Sequence, residues 1–180
     1  ERFAIKPYPA ELSHDVVDRH GKHYLLRPIR PEDAPGIQAA IASSDPEDVR
    51  MRFLQPLKRL PQSLAARLTQ IDYDREMALV AFDAGGEEIL GVARLSADPD
   101  NARAEFAIIV RTDRQGLGLG SLLMTRILGY GWDRGIGRII GDVLAENDRM
   151  LDLCRSLGAE VRKHPDESAL LRVIFRRPAG

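Results

Sequence analysis

The stretch of residues 104–123 constrains the fold of this chain more than any other. An apolar run, residues 104–110, is followed by a short polar break and then by three glycines at alternate positions, Gly116, Gly118 and Gly120. Apolar residues recur at helical spacing after Ser121, so the stretch predicts a strand, a glycine loop and a helix. Such a loop exposes successive N–H groups beside the positive end of a helix. It therefore predicts an anion site, typically for phosphate or pyrophosphate, with a ligand-free turn as the alternative.

Two common nucleotide loops do not fit these residues. A P-loop requires Gly-Lys-Ser or Gly-Lys-Thr after four intervening residues, and that sequence is absent here. A dinucleotide-binding loop requires its third glycine at the position of Ser121. The glycine loop also follows a hairpin pattern in the middle of the chain, whereas a dinucleotide fingerprint follows the first strand of its unit.

The rest of the chain alternates between helical and strand patterns and predicts an α/β domain. Segment 1–20 contains Pro7 and Pro9 and predicts a linker or N-terminal extension, and residues 21–180 are expected to form the domain. Helices are expected at 34–43, 45–54 and 61–68 before the glycine loop, and from Asn147 to Gly158 after it. Strands are expected at 23–30, 77–82, 89–95, 104–110, 138–144, 159–161 and 169–175.

The composition excludes several classes of function. Among 180 residues, 26 Lys and Arg nearly balance 27 Asp and Glu, so the charge does not indicate nucleic acid or an anionic membrane as a partner. No apolar run is long enough to span a bilayer. The single cysteine, Cys154, suits a reducing compartment and shows no metal-ligand spacing with the four histidines, so we expect a cytoplasmic protein without a metal. Because no Met begins the sequence, the chain is expected to be part of a longer polypeptide.

Two separated motifs resemble the GNAT superfamily of N-acyltransferases. Gln115 to Gly120 is similar to the loop of that family that binds the pyrophosphate of acyl-CoA, and Asn147, Met150, Leu153 and Gly158 match its later helix motif. The resemblance covers about residues 21–175. It implies a central mixed, mostly antiparallel sheet flanked by helices, with splayed fourth and fifth strands.

Three further segments resemble a narrower group, the C-terminal catalytic domain of bacterial Pat-type protein lysine acetyltransferases. They are residues 2–9, 68–79 and 104–107. This resemblance implies acetyl transfer from acetyl-CoA to a protein lysine. The implied partner is an AMP-forming acyl-CoA synthetase.

The resemblance also implies which residues bind acetyl-CoA. Strand residues Ile109 and Val110 would bond the pantetheine arm, the loop amides would hold the pyrophosphate, and Asn147 would reach the pantetheine from the other side. Arg111 and Arg114 could meet phosphate charge, or they could be ordinary solvated loop residues, and Asn147 could simply cap its helix. The expected cofactor-binding set is Ile109, Val110, Arg111, Arg114, Gln115, Gly116, Leu117, Gly118, Leu119, Gly120, Ser121, Asn147, Met150 and Cys154.

The acceptor lysine must lose a proton before it attacks, and Glu105 is the expected base. It is a carboxylate within an apolar run, on the same strand face as Ala107 and Ile109. Its alternative is an edge-strand residue that faces solvent or pairs with Arg103 or Arg94.

The family often uses a tyrosine as the acid for the leaving thiolate, and Cys154 stands at that position here. The thiolate could leave without an acid or with water. Cys154 could also be a nucleophile, but its place on an apolar helix face favours a packed core thiol.

The acceptor site is indicated only by acidic residues before the second hairpin strand. Asp72 and Asp74 could attract a basic protein surface, or they could belong to a solvated turn. Protein lysine acetylation is therefore the leading hypothesis. The alternatives are acetylation of a small amine or a protein N-terminus, and a non-catalytic acyl-CoA sensor.

Overall fold

The computed structural model describes residues 7–179, so residues 2–6 of the Pat-like segment lie outside the described part. Eight strands form one sheet in the order β1-β2-β3-β4-β5-β6-β8-β7. The strands are β1 His14–Val17, β2 His23–Pro28, β3 Glu76–Asp83, β4 Gly91–Ala97, β5 Arg103–Val110, β6 Arg138–Leu144, β7 Glu160–Lys163 and β8 Leu170–Arg176. The helices are α1 Ala34–Ala42, α2 Pro46–Phe53, α3 Gln62–Thr69, α4 Leu119–Asp133 and α5 Asp148–Ser156.

The sheet is mixed and mostly antiparallel. Neighbouring strands pair antiparallel everywhere except between β5 and β6, which pair parallel. A parallel neighbour requires a crossover, and α4 provides it after the glycine loop. The predicted α/β class and mixed sheet are confirmed.

Helices cover both faces of the sheet and bury two hydrophobic cores. On one face, Leu123, Met124 and Ile127 of α4 are fully enclosed against the inward residues of β3 to β6. On the other face, α1, α2 and α3 pack over Ala78, Val80 and neighbouring apolar residues. Because β3 is covered on both sides, six of its eight residues are buried, which explains its uninterrupted apolar sequence.

The sheet begins inside segment 1–20, for which we expected a linker or an N-terminal extension. β1 pairs antiparallel with β2 from His14↔Leu26 to Val17↔His23, and Val16 is buried. The Asp18 carboxylate accepts the N–H groups of His20 (2.8 Å) and Lys22 (2.9 Å) and so fixes the turn between the two strands. A four-residue edge strand with one buried side chain leaves too weak a pattern to detect from sequence.

The N-terminal part of the described chain also packs on the domain. The Tyr8 hydroxyl donates to the Pro28 carbonyl at 2.5 Å, and the Tyr8 ring meets the Tyr73 ring edge-on at 6.1 Å. Among residues 7–179, no helix has the length and apolar character needed to cross a membrane.

Candidate active site

Strands β5 and β6 separate after a short parallel contact. Their pairing runs only from Arg103↔Arg138 to Glu105↔Ile140, although both strands continue. The ring of Phe106 lies directly over Gly141, and its nearest atom would be 2.5 Å from a Cβ at that position. Only glycine leaves room for this ring, so Phe106 of β5 packs over Gly141 of β6 where the pairing has ended. The splay expected between the family's fourth and fifth strands is therefore found between β5 and β6, the additional N-terminal strand having shifted the count.

The splay opens into a cleft of about 470 Å³. Beyond Glu105 the β6-facing edge of β5 has no strand partner, so its backbone groups face this space. Helix α2 forms a second wall, and the start of α5 with the loop before it forms a third. Residues that line the cleft include Asp45, Asp48, Arg52, Phe106, Ala107, Ile109, Val110, Thr112, Gln115, Asp142, Glu146, Asn147, Asp148 and Met150.

The glycine loop has the backbone conformation of an anion cradle. Gly116 and Gly118 have φ angles of +78° and +94°, which side chains strongly disfavour. Gly118 is the N-cap of α4, so the helix begins at Leu119, two residues before the start expected at Ser121. Leu119 is buried, so it can offer a ligand only its backbone, whereas Leu117 is exposed. A 15-residue helix thus directs its positive end at the loop.

Gln115 joins the glycine loop to two walls of the cleft, α2 and β5. Its amide nitrogen donates to the Asp48 carboxylate at 3.1 Å and to the Val110 carbonyl at 3.0 Å. Its amide oxygen is buried without a hydrogen-bond partner among the described residues. An unsatisfied acceptor beside a free strand edge fits a ligand that carries amide N–H groups, as the pantetheine arm of acetyl-CoA does.

Both arginines expected at the phosphates already have carboxylate partners. Arg111 forms a bidentate pair with Asp113 at 2.7 and 2.9 Å, and Arg114 forms one with Asp83 at 3.0 and 2.7 Å. Neither arginine is therefore an ordinary solvated loop residue, which was the alternative interpretation. In this structure they attach the glycine loop to itself and to β3.

A third arginine, which the sequence analysis missed, reaches the loop from the turn between β1 and β2. The Arg19 side chain lies 3.8–3.9 Å from the position of a Cβ on Gly118, and it is exposed. Its guanidinium contacts the His20 ring at 3.3 Å and has no carboxylate partner among residues 7–179. Arg19 was missed because it lies in the segment expected to be a linker.

Glu105 lies at the end of the β5–β6 pairing, one residue before the cleft-lining Phe106. Its side chain is exposed and shares the α2 face of the sheet with Ala107 and Ile109. Within the described chain it pairs with neither Arg103 nor Arg94, the partners that the alternative interpretation named. The carboxylate is therefore exposed at the apex of the splay.

The side chains of α5 divide between the cleft and the core. The Asn147 side chain accepts the N–H of Met150 at 3.3 Å and caps α5, while both residues line the cleft. Capping and ligand contact are thus compatible for Asn147. Cys154, by contrast, is fully buried in the main core, and burial raises its thiol pKa to about 12. Cys154 therefore does not line the cleft, and its contact with the cofactor stays a prediction.

Asp72 and Asp74 lie in the turn before β3, away from the lining of the cleft. The Asp72 carboxylate accepts the N–H of Asp74 at 3.0 Å, and the Arg134 guanidinium donates to the Asp74 carbonyl at 3.0 Å. Asp74 lines a second cavity of about 380 Å³ together with Tyr8 and Tyr73. No group of acidic, cysteine or histidine side chains in residues 7–179 is arranged to hold a metal ion.

Comparison with protein families identifies this arrangement. Residues 23–160 match the acetyltransferase (GNAT) domain. The chain belongs to the GNAT acetyltransferase family. The match includes the glycine loop, the splayed strands and the Asn147 cap, which are the features the geometry brings together.

Individual GNAT relatives include Pat proteins. The chain is 33% identical to acetyltransferase PA5475 of Pseudomonas aeruginosa over 158 residues, 87% of this chain and 84% of the relative. It is 28% identical to acetyltransferase Pat of Mycolicibacterium smegmatis over 86% of its own length but only 45% of that protein. The crystal structure of the GNAT domain of S. lividans PAT superposes with a TM-score of 0.87 at 28% identity, covering 94% of this chain and 99% of that one.

Proposed function

We propose that this GNAT domain is a protein lysine N-acetyltransferase that uses acetyl-CoA. One observation carries the proposal: a single cleft extends from Gln115, at the start of the glycine loop, along the free edge of β5 to Phe106, the residue next to the exposed Glu105. An acyl donor with a charged diphosphate and an amide-containing arm matches the order of these groups along the cleft. The similarity to Pat proteins supports a protein lysine as the acceptor.

Residues of three elements would bind the donor. The amides from Gln115 to Ser121 would hold the pyrophosphate at the positive end of α4, and Arg19 would add a charge beside Gly118. The free edge of β5 at Ile109 and Val110 and the unpaired Gln115 oxygen would bond the amide groups of the arm. Arg111 and Arg114 would act indirectly, by fixing the shape of the loop.

Glu105 would then act as the base, directly or through one water. It would take a proton from the lysine ammonium, so that the neutral amine attacks the thioester carbonyl carbon. A C–N bond forms, the C–S bond breaks, and the CoA thiolate leaves with its electron pair. The nitrogen gives up its second proton through water to this thiolate, which leaves as the free thiol of CoA. Cys154 has no part in this scheme, because it is fully buried and protonated well above neutral pH.

The cleft also carries acidic side chains. Asp45, Asp142, Glu146 and Asp148 are exposed carboxylates that line it. They would favour the approach of a lysine on a basic protein surface, and Asp72 and Asp74 would extend that field farther out. Because this chain resembles Pat proteins, the proposed acceptor is an AMP-forming acyl-CoA synthetase.

The test is mass spectrometry of a purified AMP-forming acyl-CoA synthetase after incubation with the protein and acetyl-CoA. We expect one acetylated lysine, and none when Glu105→Gln replaces the wild type. Parallel reactions contain a polyamine and a peptide with a free N-terminus. Acetylation of either of these, with the synthetase unmodified, would contradict the proposal.

A further inference from the structure

An arginine without a carboxylate partner faces the cleft from α2. Arg52 is partly buried in the last turn of that helix and lines the cavity, with its guanidinium carbon 4.6 Å from the centre of the Phe53 ring. It forms no ion pair with any residue from 7 to 179. A guanidinium that is partly removed from water and unpaired costs free energy unless a ligand compensates it.

A second arginine lies behind the first. Arg94 of β4 is 8% exposed and stands directly across from the cleft-lining Ala107 in the sheet, on the α2 face. It donates to the Leu68 carbonyl, and its Nε is buried without a partner in the described chain. Burial lowers the pKa of Arg94, against the opposing effect of Glu76. Burial, and then the charge of Arg94, lowers the pKa of Arg52 to about 10.

The nearest carboxylates of α2 are committed elsewhere. Asp48 lies one helical turn before Arg52, the spacing of a helix ion pair. Its carboxylate instead accepts from the Thr112 hydroxyl at 2.6 Å and from Gln115 at 3.1 Å. Glu47 pairs with Arg50, which also reaches Glu146 across the cleft. The positive charge at Arg52 is therefore left for a ligand.

We infer that Arg52, supported by Arg94, forms a carboxylate subsite inside the acetyltransferase cleft. The inference rests on the proposed function, because it assigns part of the same cleft. An arginine fork binds a carboxylate with two parallel hydrogen bonds, which suits an anion that enters and leaves during each turnover.

The subsite lies close to the reacting groups. Ala107, across from Arg94, is two residues from Glu105 on the same strand face, a separation of about 7 Å along a strand. A carboxylate at this distance could belong to the acyl chain of the donor, as in succinyl-CoA. It could equally belong to an acidic residue beside the acceptor lysine.

The experiment separates these two sources. Calorimetry compares acetyl-CoA with succinyl-CoA, which differ by the terminal carboxylate. Turnover assays compare two lysine peptides that differ only in Glu or Gln after the lysine. Both use the full chain and three variants: Arg52→Met, Arg52→Lys and the control Arg67→Met, which removes an exposed charge from α3. Thermal unfolding of each variant verifies its fold.

We expect wild type to favour the carboxylate-bearing member of one pair by about 10–100-fold, the usual effect of a charge-assisted hydrogen bond. Arg52→Met should abolish the preference, Arg52→Lys should keep part of it, and Arg67→Met should keep all of it. A preference confined to calorimetry identifies the acyl chain, and one confined to the peptides identifies the acceptor.

Equal results within both pairs for wild type, or preferences that survive in a folded Arg52→Met, would overturn the subsite. Calorimetry of acetyl-CoA alone is a separate measurement. If the wild type does not bind acetyl-CoA, the proposed function is contradicted. If it binds acetyl-CoA but shows no preference for a carboxylate, only the subsite is contradicted.

Discussion

At the scale of single residues, the site depends on which polar groups have partners. Arg111, Arg114 and Asp48 are held by neighbours, whereas the carboxylate of Glu105, the amide oxygen of Gln115 and the guanidinium of Arg52 are not. Sequence motifs predicted Glu105 and Gln115 as site residues, because both lie in a continuous strand and loop. They did not identify Arg52. Within residues 7–179 its guanidinium lacks a carboxylate partner because Asp48, one helical turn away, bonds Thr112, and the sequence does not show that contact.

Replacing Glu105 with Gln keeps the size of the side chain but removes its ability to accept a proton. We expect kcat to fall by roughly 10²–10⁴-fold, with acetyl-CoA affinity little changed. Steady-state kinetics and calorimetry make the measurement, and Glu87→Gln, an exposed carboxylate in the β3–β4 hairpin, is the control. Near wild-type kcat in Glu105→Gln would exclude it as the base.

The buried thiol of Cys154 predicts a dependence of stability on pH. Folding raises its pKa from the ordinary 9.0 to about 12, so the folded state retains a proton that the unfolded state releases. The stabilisation is complete below pH 9 and is lost as the pH rises towards 12. Chemical denaturation at pH 8, 9 and 10.5 should show a steeper alkaline loss for wild type than for Cys154→Ala, which should also keep most of its activity. Parallel curves, or an acetylated cysteine, would contradict this.

At the scale of elements, helices and strands with strong local patterns were predictable, whereas contacts between distant segments were not. The hairpin of β3 and β4, the strand β6 and the capped helix α5 were expected within a few residues of their bounds, because each has strong periodicity and clear end signals. The short edge strand β1 and the contact of its turn with the glycine loop were not expected. Both depend on long-range pairing that no local pattern records.

The turn between β1 and β2 should contribute to donor binding through Arg19. Arg19→Ala removes an unpaired positive charge beside Gly118, so we expect acetyl-CoA affinity to fall several-fold, and more at low salt than at high salt. Calorimetry at two salt concentrations measures this. Arg126→Ala, which removes an exposed charge from the middle of α4, should change little. Equal losses of acetyl-CoA affinity in the two variants would show that Arg19 acts only through the overall charge of the protein.

The glycine loop itself should not tolerate a charged side chain. Gly118→Glu combines an unfavourable φ of +94° with a negative charge where the pyrophosphate would bind. Calorimetry should detect no acetyl-CoA binding, while circular dichroism shows a folded domain. Because φ strain alone destabilises the loop, Gly118→Ala is the matched control and should retain measurable affinity. Undiminished binding to the folded Gly118→Glu would contradict our account of the loop.

At the scale of the whole molecule, the cleft depends on contacts between distant parts of the chain. Phe106 of β5 packs over Gly141 of β6, and Arg50 joins α2 to Glu146 across the cleft. The N-terminal segment supports the opposite edge of the sheet and brings Arg19 to the loop. The site is therefore a property of the complete fold, although its central motif is local.

A chain that begins at Gly21, the boundary expected from sequence, should be less stable than one that begins at Pro7. It loses the edge strand β1, the buried side chain of Val16 and the contacts of Tyr8 with Pro28 and Tyr73. Burial of one valine contributes about 1.5–3 kcal/mol, and each kcal/mol corresponds to roughly 2–4 °C in a domain of this size. We expect the melting temperature to fall by about 5–10 °C in calorimetric scans.

Acetyl-CoA affinity should also fall, to the level of Arg19→Ala in the longer chain, because Arg19 is removed with the strand. Equal melting temperatures for the two chains would show that the segment packs on the domain without stabilising it, and the boundary at Gly21 would then stand.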